Sequence, residues 1–543
     1  MLHGLRRQAS MSAGVVACIA LAAVGGAARG AHSGNVPCSG AGGGAAGLVA
    51  AIAAANAGGG GGVNLAPGCT YSLTSANNTA PGLGASGLPV ITTPITINGS
   101  GATIAGNNSN FRIIAISGQA GGSLTLNGIT VTGGNVSGPG PAGFGGGIFN
   151  FAGTLRLNNS VVTHNTASNA GGGIASGTMG PGPGASLTLN NSEVSWNTVP
   201  PTGQGAGGIL SISGTLTLNN TTVDHNTASG GGGIASGNGN GGGAGSSIDV
   251  NNSVISDNTA TGGDQTGGGG VSNGGTLRMN NTQLTGNDAG TGTGGGLLNH
   301  ASATLNNVSA TGNSAAVGAG IAQINLQGLP GASPPVPDLT MNNGNVTGNT
   351  ASVAGGGIAN VSAFGEPLGS ITLRNTQVSG NSPNNCVPVG TIAGCSDSVI
   401  VFTAALDAHL DPTIVTSGTG TTTVTWNTAT NQMTVDVAFS GLTAPTTVAH
   451  IHCCIAPPGT TGVATAVPTF PGFPPGVTSG TYHRTFDMTD PTSYNPAFLA
   501  ANGGSTAAAA AALLAGLEAG HAYLNIHTMQ YPGGEIRGFP QEP

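Results

Sequence analysis

Four residues with side chains suited to ligand binding recur one repeat apart in the first half of the chain. His164, Trp196, His225 and Asp257 each stand immediately before a recurring asparagine. An indole can stack on the apolar face of a sugar ring, and imidazole and carboxylate groups can hydrogen-bond the sugar hydroxyls. The pattern therefore predicts a ligand-binding stripe if the four residues form one outward-facing column. A variable surface or bend column is the alternative.

Catalysis on the same surface would need suitably placed carboxylates. Glycoside hydrolysis uses two carboxyl groups at a defined separation, and β-elimination from a uronate uses a base together with a cation. Among the acidic residues before residue 395, Asp224, Asp249, Asp257 and Asp264 could cluster, whereas the arginines are scattered. Asp224 and Asp257 are the catalytic candidates, but the pattern favours binding over catalysis.

A second group of candidate residues lies near the end of the chain. His450 and His452 alternate along one predicted strand and therefore project to one face. His527, from another predicted strand, and the nearby Glu535 could complete a site for a zinc or copper ion. The alternative is a structural network in which buried imidazoles are hydrogen-bonded to Glu535, Asn525 or the backbone.

A repeated sequence block must position the first group. The block x-Leu-x-Leu-Asn-Asn-x-x-Val-x-x-Asn, as in residues 154–165, recurs about every 31 residues. Alternating aliphatic residues predict β-strands, and their fixed spacing predicts a parallel coil in which equivalent residues stack. The closing asparagine of each block tolerates a left-handed bend and can hydrogen-bond its counterpart in the next turn. A structural ladder is predicted at Asn165, Asn197, Asn226, Asn258, Asn287, Asn313, Asn349 and Asn381.

Gly-Gly-Ile, or a near variant, marks a second strand in each turn. The distance from this motif to the next block varies, so insertions are predicted to emerge along one edge of the coil, at 177–185, 237–245 and 327–337. Solenoids often bind ligands on the face where such loops accumulate.

These repeats resemble the right-handed parallel β-helix of pectate-lyase-like proteins and the repeats of polymorphic outer-membrane proteins and autotransporter passengers. The resemblance covers roughly residues 38–395 and implies an all-β solenoid. An apolar segment at 47–56 predicts a short helix that caps the first turn, within an N-terminal cap at about 38–62. Repeats at about 90–381 and a disulfide clip at 382–395 complete a domain predicted over 31–395.

The pattern changes to separate alternating strands after Val399. The segments Ala449-His-Ile-His452 and Tyr523-Leu-Asn-Ile-His-Thr528, followed by Pro532-Gly-Gly-Glu-Ile-Arg-Gly538, resemble the CHRD domain, a module named from chordin and also found in bacterial secreted proteins. The resemblance spans about 399–540 and implies an antiparallel β-sandwich or barrel-like domain with no established catalytic role. We predict this domain over residues 396–543.

Composition limits the partners of the chain. Its 543 residues include nine basic residues, all of them arginine, against 17 acidic residues, for a formal net charge of −8. So few cations disfavour nucleic-acid binding. They also disfavour polyanionic glycans such as pectate, unless a calcium ion bridges the glycan to the protein.

The N-terminus predicts export. Arg6 and Arg7 precede an apolar run at 13–24 and a small-residue cleavage candidate at 28–30, which together indicate a signal peptide over 1–30. No transmembrane span is predicted after its removal. Lipid anchoring at Cys18 is the alternative to free secretion. In an oxidising compartment the other six cysteines are predicted to pair locally, as Cys38 with Cys69, Cys386 with Cys395, and Cys453 with Cys454.

The sequence thus predicts an extracellular or cell-surface β-helix protein that acts as a binding or adhesion module for carbohydrate or cell-surface ligands. A polysaccharide lyase or glycoside hydrolase is the first alternative, and a metal-binding CHRD domain is the second. No specific cofactor is predicted, and a divalent metal ion, zinc, copper or calcium, is the alternative.

Overall fold

The computed structural model of the protein describes residues 32–542, except 81, 109, 179–183, 204, 238–245, 263–266, 327–334, 363–364, 389–390, 396–398, 409–412 and 429. The predicted signal peptide, Cys18 and Asp264 lie outside the described residues, as do most of the predicted insertions at 177–185, 237–245 and 327–337. The chain divides into two compact units. The repeat unit comprises Met1–Ser382 and Ile392–Cys395, and the C-terminal unit comprises Pro383–Thr391 and Ser396–Pro543.

The repeat unit is built on a long parallel sheet to which every turn contributes. From Thr154 onward each turn supplies a five-residue strand and then a three-residue strand. Successive turns are in register, so that Leu155 pairs with Leu187, and Leu187 pairs with Leu216. The strands are His32–Val36, Gly61–Leu65, Thr70–Ser72, Pro94–Ala105, Ser123–Thr132, Thr154–Asn158, Val161–Thr163, Ser186–Asn190, Glu193–Ser195, Thr215–Asn219, Thr222–Asp224, Ser247–Asn251, Val254–Ser256, Thr276–Asn280, Gln283–Thr285, Ser302–Asn306, Ser309–Thr311, Asp338–Asn342, Asn345–Thr347, Ser370–Arg374 and Gln377–Ser379.

A second parallel sheet runs along the same coil. As predicted, its strands from Ile148 onward begin at the last residue of a Gly-Gly-Ile motif or a near variant, and one further strand begins earlier, at Ile114. They are Ile114–Ser117, Ile148–Phe151, Ile174–Gly177, Ile209–Ile212, Ile234–Gly237, Val271–Asn273, Leu297–Asn299, Ile321–Asn325 and Ile358–Ser362. Shorter pairs join Asn135–Val136 with Thr166–Ala167, Thr227–Ala228 with Thr259–Ala260, Ser314–Val317 with Thr350–Ala354, and Asn78–Ala80 with Gly84–Ser86. The predicted parallel β-helix is therefore confirmed.

Aliphatic side chains of moderate size fill the coil. Leu155, Leu157 and Val162 are fully buried, whereas Thr154 and Arg156, which alternate with the leucines, are exposed. Because each turn is covered by its neighbours, a chain with 3% aromatic residues still forms a continuous core.

The closing asparagines lie inside the coil and hydrogen-bond from turn to turn. Oδ1 of Asn226 accepts two hydrogen bonds from Asn197, one from its backbone N and one from its Nδ2, and both N–O distances are 3.0 Å. The same two bonds recur at every step from Asn165 to Asn381. A second ladder, absent from the predictions, joins the first asparagine of each Asn-Asn pair, as between Asn190 Nδ2 and Asn158 Oδ1 at 2.8 Å.

The left-handed bend does not fall on the closing asparagine, and that expectation is wrong. It falls on the residue before, which has φ of 55° at His164 and 65° at Gly286. It also falls on the second residue of the Asn-Asn pair, with φ of 49° at Asn159. The closing asparagine keeps an ordinary backbone conformation, so its amide can align with those above and below.

A helix over Gly44–Ala57 covers the first turn of the coil, as predicted. Leu48 and Ile52 on this helix are fully buried. Oδ1 of Asn56, near its end, accepts a hydrogen bond from the backbone N of Thr92 at 3.0 Å. Two short 3-10 helices, Gly118–Ala120 and Gly140–Gly143, complete the helical elements described in this unit.

The C-terminal unit consists of two antiparallel sheets around one core. The first has the order Val399–Leu406, Thr419–Asn427, Gln432–Ser440 and Gly480–Asp487. The second has the order Thr446–Cys453, Ala522–Thr528 and Ile536–Gly538. Phe402 and Trp426 of the first sheet share a core with Ile451 and Leu524 of the second, which confirms the predicted sandwich. The remaining elements are Cys386–Val387, Pro491–Ser493, Pro496–Ala501 and Thr506–Glu518.

All six predicted disulfide cysteines are bonded. Cys38 is joined to Cys69, and Cys453 is joined to Cys454. Cys386 and Cys395 are also disulfide-bonded. Across the part of the chain that the structure describes, no helix is both long enough and apolar enough to cross a membrane.

Candidate functional site

The residues before the first ladder asparagines form an outward-facing stack, which we call the aromatic column: His164, Trp196 and His225, with Asp257 in the next turn. The indole of Trp196 is stacked on the imidazole of His225, with ring centroids 4.2 Å apart and an interplanar angle of 17°. His164 stacks on its other side at 6.2 Å and 14°. Trp196 is 52% exposed, and His164 and Asp257 are also exposed.

The backbone beneath the aromatic column is unusual for such large side chains. His164, Trp196, His225 and Asp257 have φ between 53° and 56°, a left-handed conformation that is rare outside glycine. The equivalent residues of the next four turns are glycines: Gly286, Gly312, Gly348 and Gly380. The bend itself therefore requires no side chain. Four consecutive turns nevertheless have a residue with a side chain at the bend, at a conformational cost.

Hydroxyl groups on the adjoining strand ends support the aromatic column. Thr163 Oγ1 lies 2.9 Å from His164 Nδ1 and 3.2 Å from Ser195 Oγ. Ser195 Oγ lies 2.5 Å from Glu193 Oε1. The sequence prediction omitted Thr163, Ser195 and Glu193, although the register of the repeat places Thr163 opposite Ser195 and Ser195 opposite Asp224.

Asp224 is the most perturbed carboxyl group beside the aromatic column. Its Oδ2 lies 2.7 Å from His225 Nδ1, and its side chain is 17% exposed. Burial raises the pKa of Asp224, the carboxylates of Glu193 and Asp257 raise it further, and the His225 hydrogen bond acts in the opposite direction. A partly buried carboxyl group near two others is able to hold a proton above its ordinary range.

The carboxylate cluster differs from the predicted one. It contains Glu193 as well as Asp224 and Asp257, and the charges of Glu193 and Asp257 both act on Asp224. Asp249 lies on the five-residue strand Ser247–Asn251, opposite Arg278 on the equivalent strand of the next turn.

A second candidate site is a cluster of three buried imidazoles in the C-terminal unit, which we call the histidine cluster: His450, His452 and His527. Their ring centroids are 5.4 to 5.9 Å apart, and one nitrogen from each ring lies within 4.8 Å of the other two. Ala449, Ile451, Leu524 and Ile526 point into the core, so the histidines occupy the opposite face of the same strands.

Backbone carbonyls fix the orientation of each ring. His450 Nε2 lies 2.6 Å from Pro468 O, His452 Nδ1 lies 2.8 Å from Thr461 O, and His527 Nδ1 lies 2.8 Å from Pro532 O. A carbonyl oxygen can only accept, so these nitrogens carry the protons. The other nitrogens are buried and have no hydrogen-bond partner among the described residues: His450 Nδ1, His452 Nε2 and His527 Nε2.

Burial keeps the three rings neutral. Desolvation lowers the pKa of His450 and His527, and it lowers the pKa of His452 to about 4. Each of the three neutral imidazoles thus keeps an unshared electron pair on a buried nitrogen that has no partner among the described residues.

Glu535 is not a member of this cluster, contrary to the prediction. Its carboxylate accepts hydrogen bonds from Thr416 Oγ1 at 2.6 Å, the backbone N of Thr443 at 2.6 Å and Thr528 Oγ1 at 2.7 Å. Desolvation raises the pKa of this buried carboxyl group, but the hydrogen bonds from Thr416, Thr443 and Thr528 outweigh it and lower the pKa below the usual value. The imidazoles bind backbone carbonyls rather than Glu535 or Asn525.

A known module covers the strands that carry the histidine cluster. Residues 402–539 match the family model of the CHRD domain. The CHRD domain thus contains both antiparallel sheets and all three histidines.

Comparison of the whole chain with solved structures finds phage tailspikes. The tailspike protein of Acinetobacter baumannii phage AM24 aligns at 12% identity over 81% of this chain and 79% of that chain, with a TM-score of 0.26. A double mutant of the tailspike protein of E. coli bacteriophage HK620, in complex with pentasaccharide, aligns at 11% identity over 81% of this chain and 88% of that chain, with a TM-score of 0.25. TM-scores this low support no transfer of function. No curated protein matches the chain.

Proposed function

We propose that the β-helix is a carbohydrate-binding module and that the aromatic column is its binding surface. The observation that supports this is the half-exposed indole of Trp196, stacked between two imidazoles at a bend where the last four turns have glycine. A side chain retained in a left-handed conformation, with most of its surface in solvent, contributes little to packing. Its retention is accounted for by contact with a ligand.

The chemistry of the aromatic column fits a sugar. The apolar face of a pyranose can stack on the indole, while the imidazoles and Asp257 hydrogen-bond hydroxyl groups. Four turns at a strand spacing of about 4.8 Å give a surface about 14 Å long, which suits an extended chain better than a single monosaccharide.

Charge selects among polysaccharides. Glu193, Asp224 and Asp257 all lie at or beside the aromatic column, and the chain has no lysine. A polyanionic glycan would meet like charge at this surface, so we propose a neutral polysaccharide as the ligand.

The proposed setting is outside the cell. Disulfide bonds persist in oxidising compartments, and all six cysteines of the described chain are bonded. Together with the predicted signal peptide, they support an exported protein that binds polysaccharide at or beyond a cell surface.

The test is affinity electrophoresis of the full chain in gels that contain soluble glucan, mannan, galactan or pectate. We expect at least one neutral polysaccharide to retard the protein, and Trp196→Gly to weaken that retardation about tenfold or more, because one lost aromatic contact is worth about that factor. Val353→Ala is the matched control, since Val353 is also exposed on the β-helix, at 47%. Unchanged mobility on every neutral polysaccharide, or equal retardation of wild type and Trp196→Gly, contradicts the proposal.

The two tryptophans of the chain provide a second readout. Trp196 is exposed, whereas Trp426 is buried in the core of the C-terminal unit. Bound polysaccharide should protect Trp196 from acrylamide quenching and leave the Trp426 contribution unchanged.

Hydrolysis of the bound polysaccharide is the second candidate function, favoured by the raised pKa of Asp224 beside Glu193 and Asp257. A carboxyl group that retains its proton can act as a general acid, and a neighbouring carboxylate can act as base or nucleophile. Release of reducing sugar from a retarding polysaccharide, abolished by Asp224→Asn or Asp257→Asn with retention of binding, would establish this activity. Binding without product release in the wild type would exclude it for that polysaccharide.

A further inference from the structure

We propose that the histidine cluster of the CHRD domain binds one zinc or copper(II) ion through His450 Nδ1, His452 Nε2 and His527 Nε2. These three ring nitrogens have no hydrogen-bond partner among the described residues, and the three histidines can each offer one ring nitrogen within 4.8 Å of the other two. Each of the three side chains is at most 8% exposed.

The position of the proton on each ring leaves the other ring nitrogen without a partner in the described part of the chain, unless a cation binds there. Each ring donates its one N–H to a carbonyl oxygen, of Pro468, Thr461 or Pro532, at the rim of the site. Three buried nitrogens, each with a lone pair, are then left without a donor among the described residues. Buried polar atoms are nearly always partnered, and a metal ion is the partner that accepts three imidazole lone pairs at once.

The carbonyl contacts also match the supporting contacts of known metal sites. A metal-bound histidine usually donates its second ring nitrogen to a carbonyl or carboxylate, which fixes the tautomer and the ring orientation. All three rings have such a contact here. In addition, Tyr523 stacks on His452 with ring centroids 4.7 Å apart and an interplanar angle of 6°, which restrains that ring further.

The donor set selects the class of metal. Neutral imidazoles suit zinc and copper(II), whereas calcium and magnesium require oxygen ligands. The nearest buried carboxylate described above, Glu535, has its oxygens occupied by Thr416, Thr443 and Thr528. Three protein ligands leave one coordination position for water or an external ligand.

The fold brings the three ligands together across two strands. His450 and His452 alternate on Thr446–Cys453, and His527 lies on Ala522–Thr528, which pairs with it antiparallel. Asn525, directly opposite His450, has a buried Oδ1 with no partner among the described atoms and lines a cavity of about 280 Å³ together with Tyr531 and Arg537. Asn525 lies on the strand face that bears the histidines.

The experiment uses the full chain after chelation and desalting. Isothermal titration calorimetry with Zn²⁺, Cu²⁺ and Ca²⁺ is expected to give one site per chain for zinc, copper or both, and none for calcium. His450→Ala and His527→Ala should weaken the affinity by more than 100-fold, because removal of a supporting contact alone costs 10–100-fold. With Cu²⁺, electron paramagnetic resonance should show nitrogen hyperfine structure that both variants lose.

His483→Ala is the matched control, because this exposed histidine of the same unit pairs with Asp436 and lies outside the cluster. It should bind the metal as wild type does. His527→Gln preserves side-chain volume, and circular dichroism of each variant verifies folding. The absence of stoichiometric zinc or copper binding in the intact chain overturns the proposal, as does wild-type affinity in a folded His450→Ala or His527→Gln variant.

Discussion

Asn226 shows how a single side chain connects three turns of the β-helix. Its Oδ1 accepts hydrogen bonds from the backbone N and the Nδ2 of Asn197, and its own Nδ2 donates to Val194 O and to Asn258 Oδ1. The residue is fully buried, so water cannot replace these partners. The ladder thus satisfies buried backbone groups that the left-handed bends leave outside the sheet.

Replacement of Asn226 tests this role. Asn226→Ala leaves the buried backbone N–H of Asn197 without an acceptor, and we expect a loss of about 2–4 kcal/mol in the free energy of unfolding. Asn220→Gly is the control, because Asn220 is exposed and left-handed, with φ of 49°. Urea unfolding followed by far-ultraviolet circular dichroism measures both. Equal losses in the two variants would contradict a specific role for the ladder.

Asp224 gives a prediction that depends on pH. Its pKa in the folded protein is raised, so ionisation of this group disfavours the folded state, and the penalty is complete only above the folded pKa. Asp224→Asn removes that penalty. We expect its Tm to exceed that of wild type by roughly 2 °C at pH 7, and the difference to vanish near pH 3.5, below the ordinary carboxyl pKa of about 3.9.

Asp338→Asn serves as the comparison, since Asp338 is exposed on the same β-helix. Thermal unfolding at pH 3.5, 5 and 7 is the measurement. A difference between Asp224→Asn and wild type that does not change with pH would exclude the raised pKa as its cause.

At the scale of elements, the residue type at the bend after each three-residue strand differs between the two halves of the β-helix. The first four repeat turns carry His164, Trp196, His225 and Asp257 at this bend, and the last four carry glycine. The two halves have the same backbone, with φ of 56° at Trp196 and 64° at Gly312. The aromatic column is therefore an addition to the fold and not a requirement of it.

This difference predicts that substitutions at the bend affect stability in one half of the β-helix and not in the other. Gly312→Ala should cost about 1–2 kcal/mol, because its φ is left-handed and a Cβ there would meet no other atom, so the cost is conformational alone. Trp196→Gly relieves the same strain and should leave the stability unchanged within about 1 kcal/mol. Chemical denaturation of both variants tests the pair. A large loss of stability in Trp196→Gly would indicate that the indole contributes to packing rather than to ligand binding.

At the scale of the whole molecule, charge limits the partners. The chain has a formal net charge of −8 and nine arginines in 543 residues. At pH 7 we expect the protein not to shift labelled duplex DNA in a gel assay, even at 50 mM salt, because affinity for DNA comes largely from phosphate contacts by basic residues. A micromolar complex that weakens as salt is added would contradict this expectation.

The sequence by itself determined the repeating fold and the order of its parts. A fixed spacing from the first leucine to the closing asparagine leaves one register in which aliphatic residues stack inside the coil, so the parallel sheets and the alignment of His164, Trp196 and His225 follow directly. Likewise, the strands around His452 and His527 follow from alternating patterns and from the CHRD motifs, because both are local in sequence.

Only the tertiary structure decided which atoms of these residues face one another. The left-handed bend lies one residue before the asparagine because the buried amide must align with its neighbours. The carboxylate of Glu193 interacts electrostatically with Asp224. The carboxylate of Glu535 accepts hydrogen bonds from threonines in distant segments of the chain. The histidine cluster depends on the carbonyls of two loops, one that contains Thr461 and Pro468 and one that contains Pro532, which fix the orientation of each ring. The orientation of each ring is set by a loop carbonyl 5 to 18 residues further along the chain, and the alternating pattern of the strands does not encode where the irregular loop places that carbonyl.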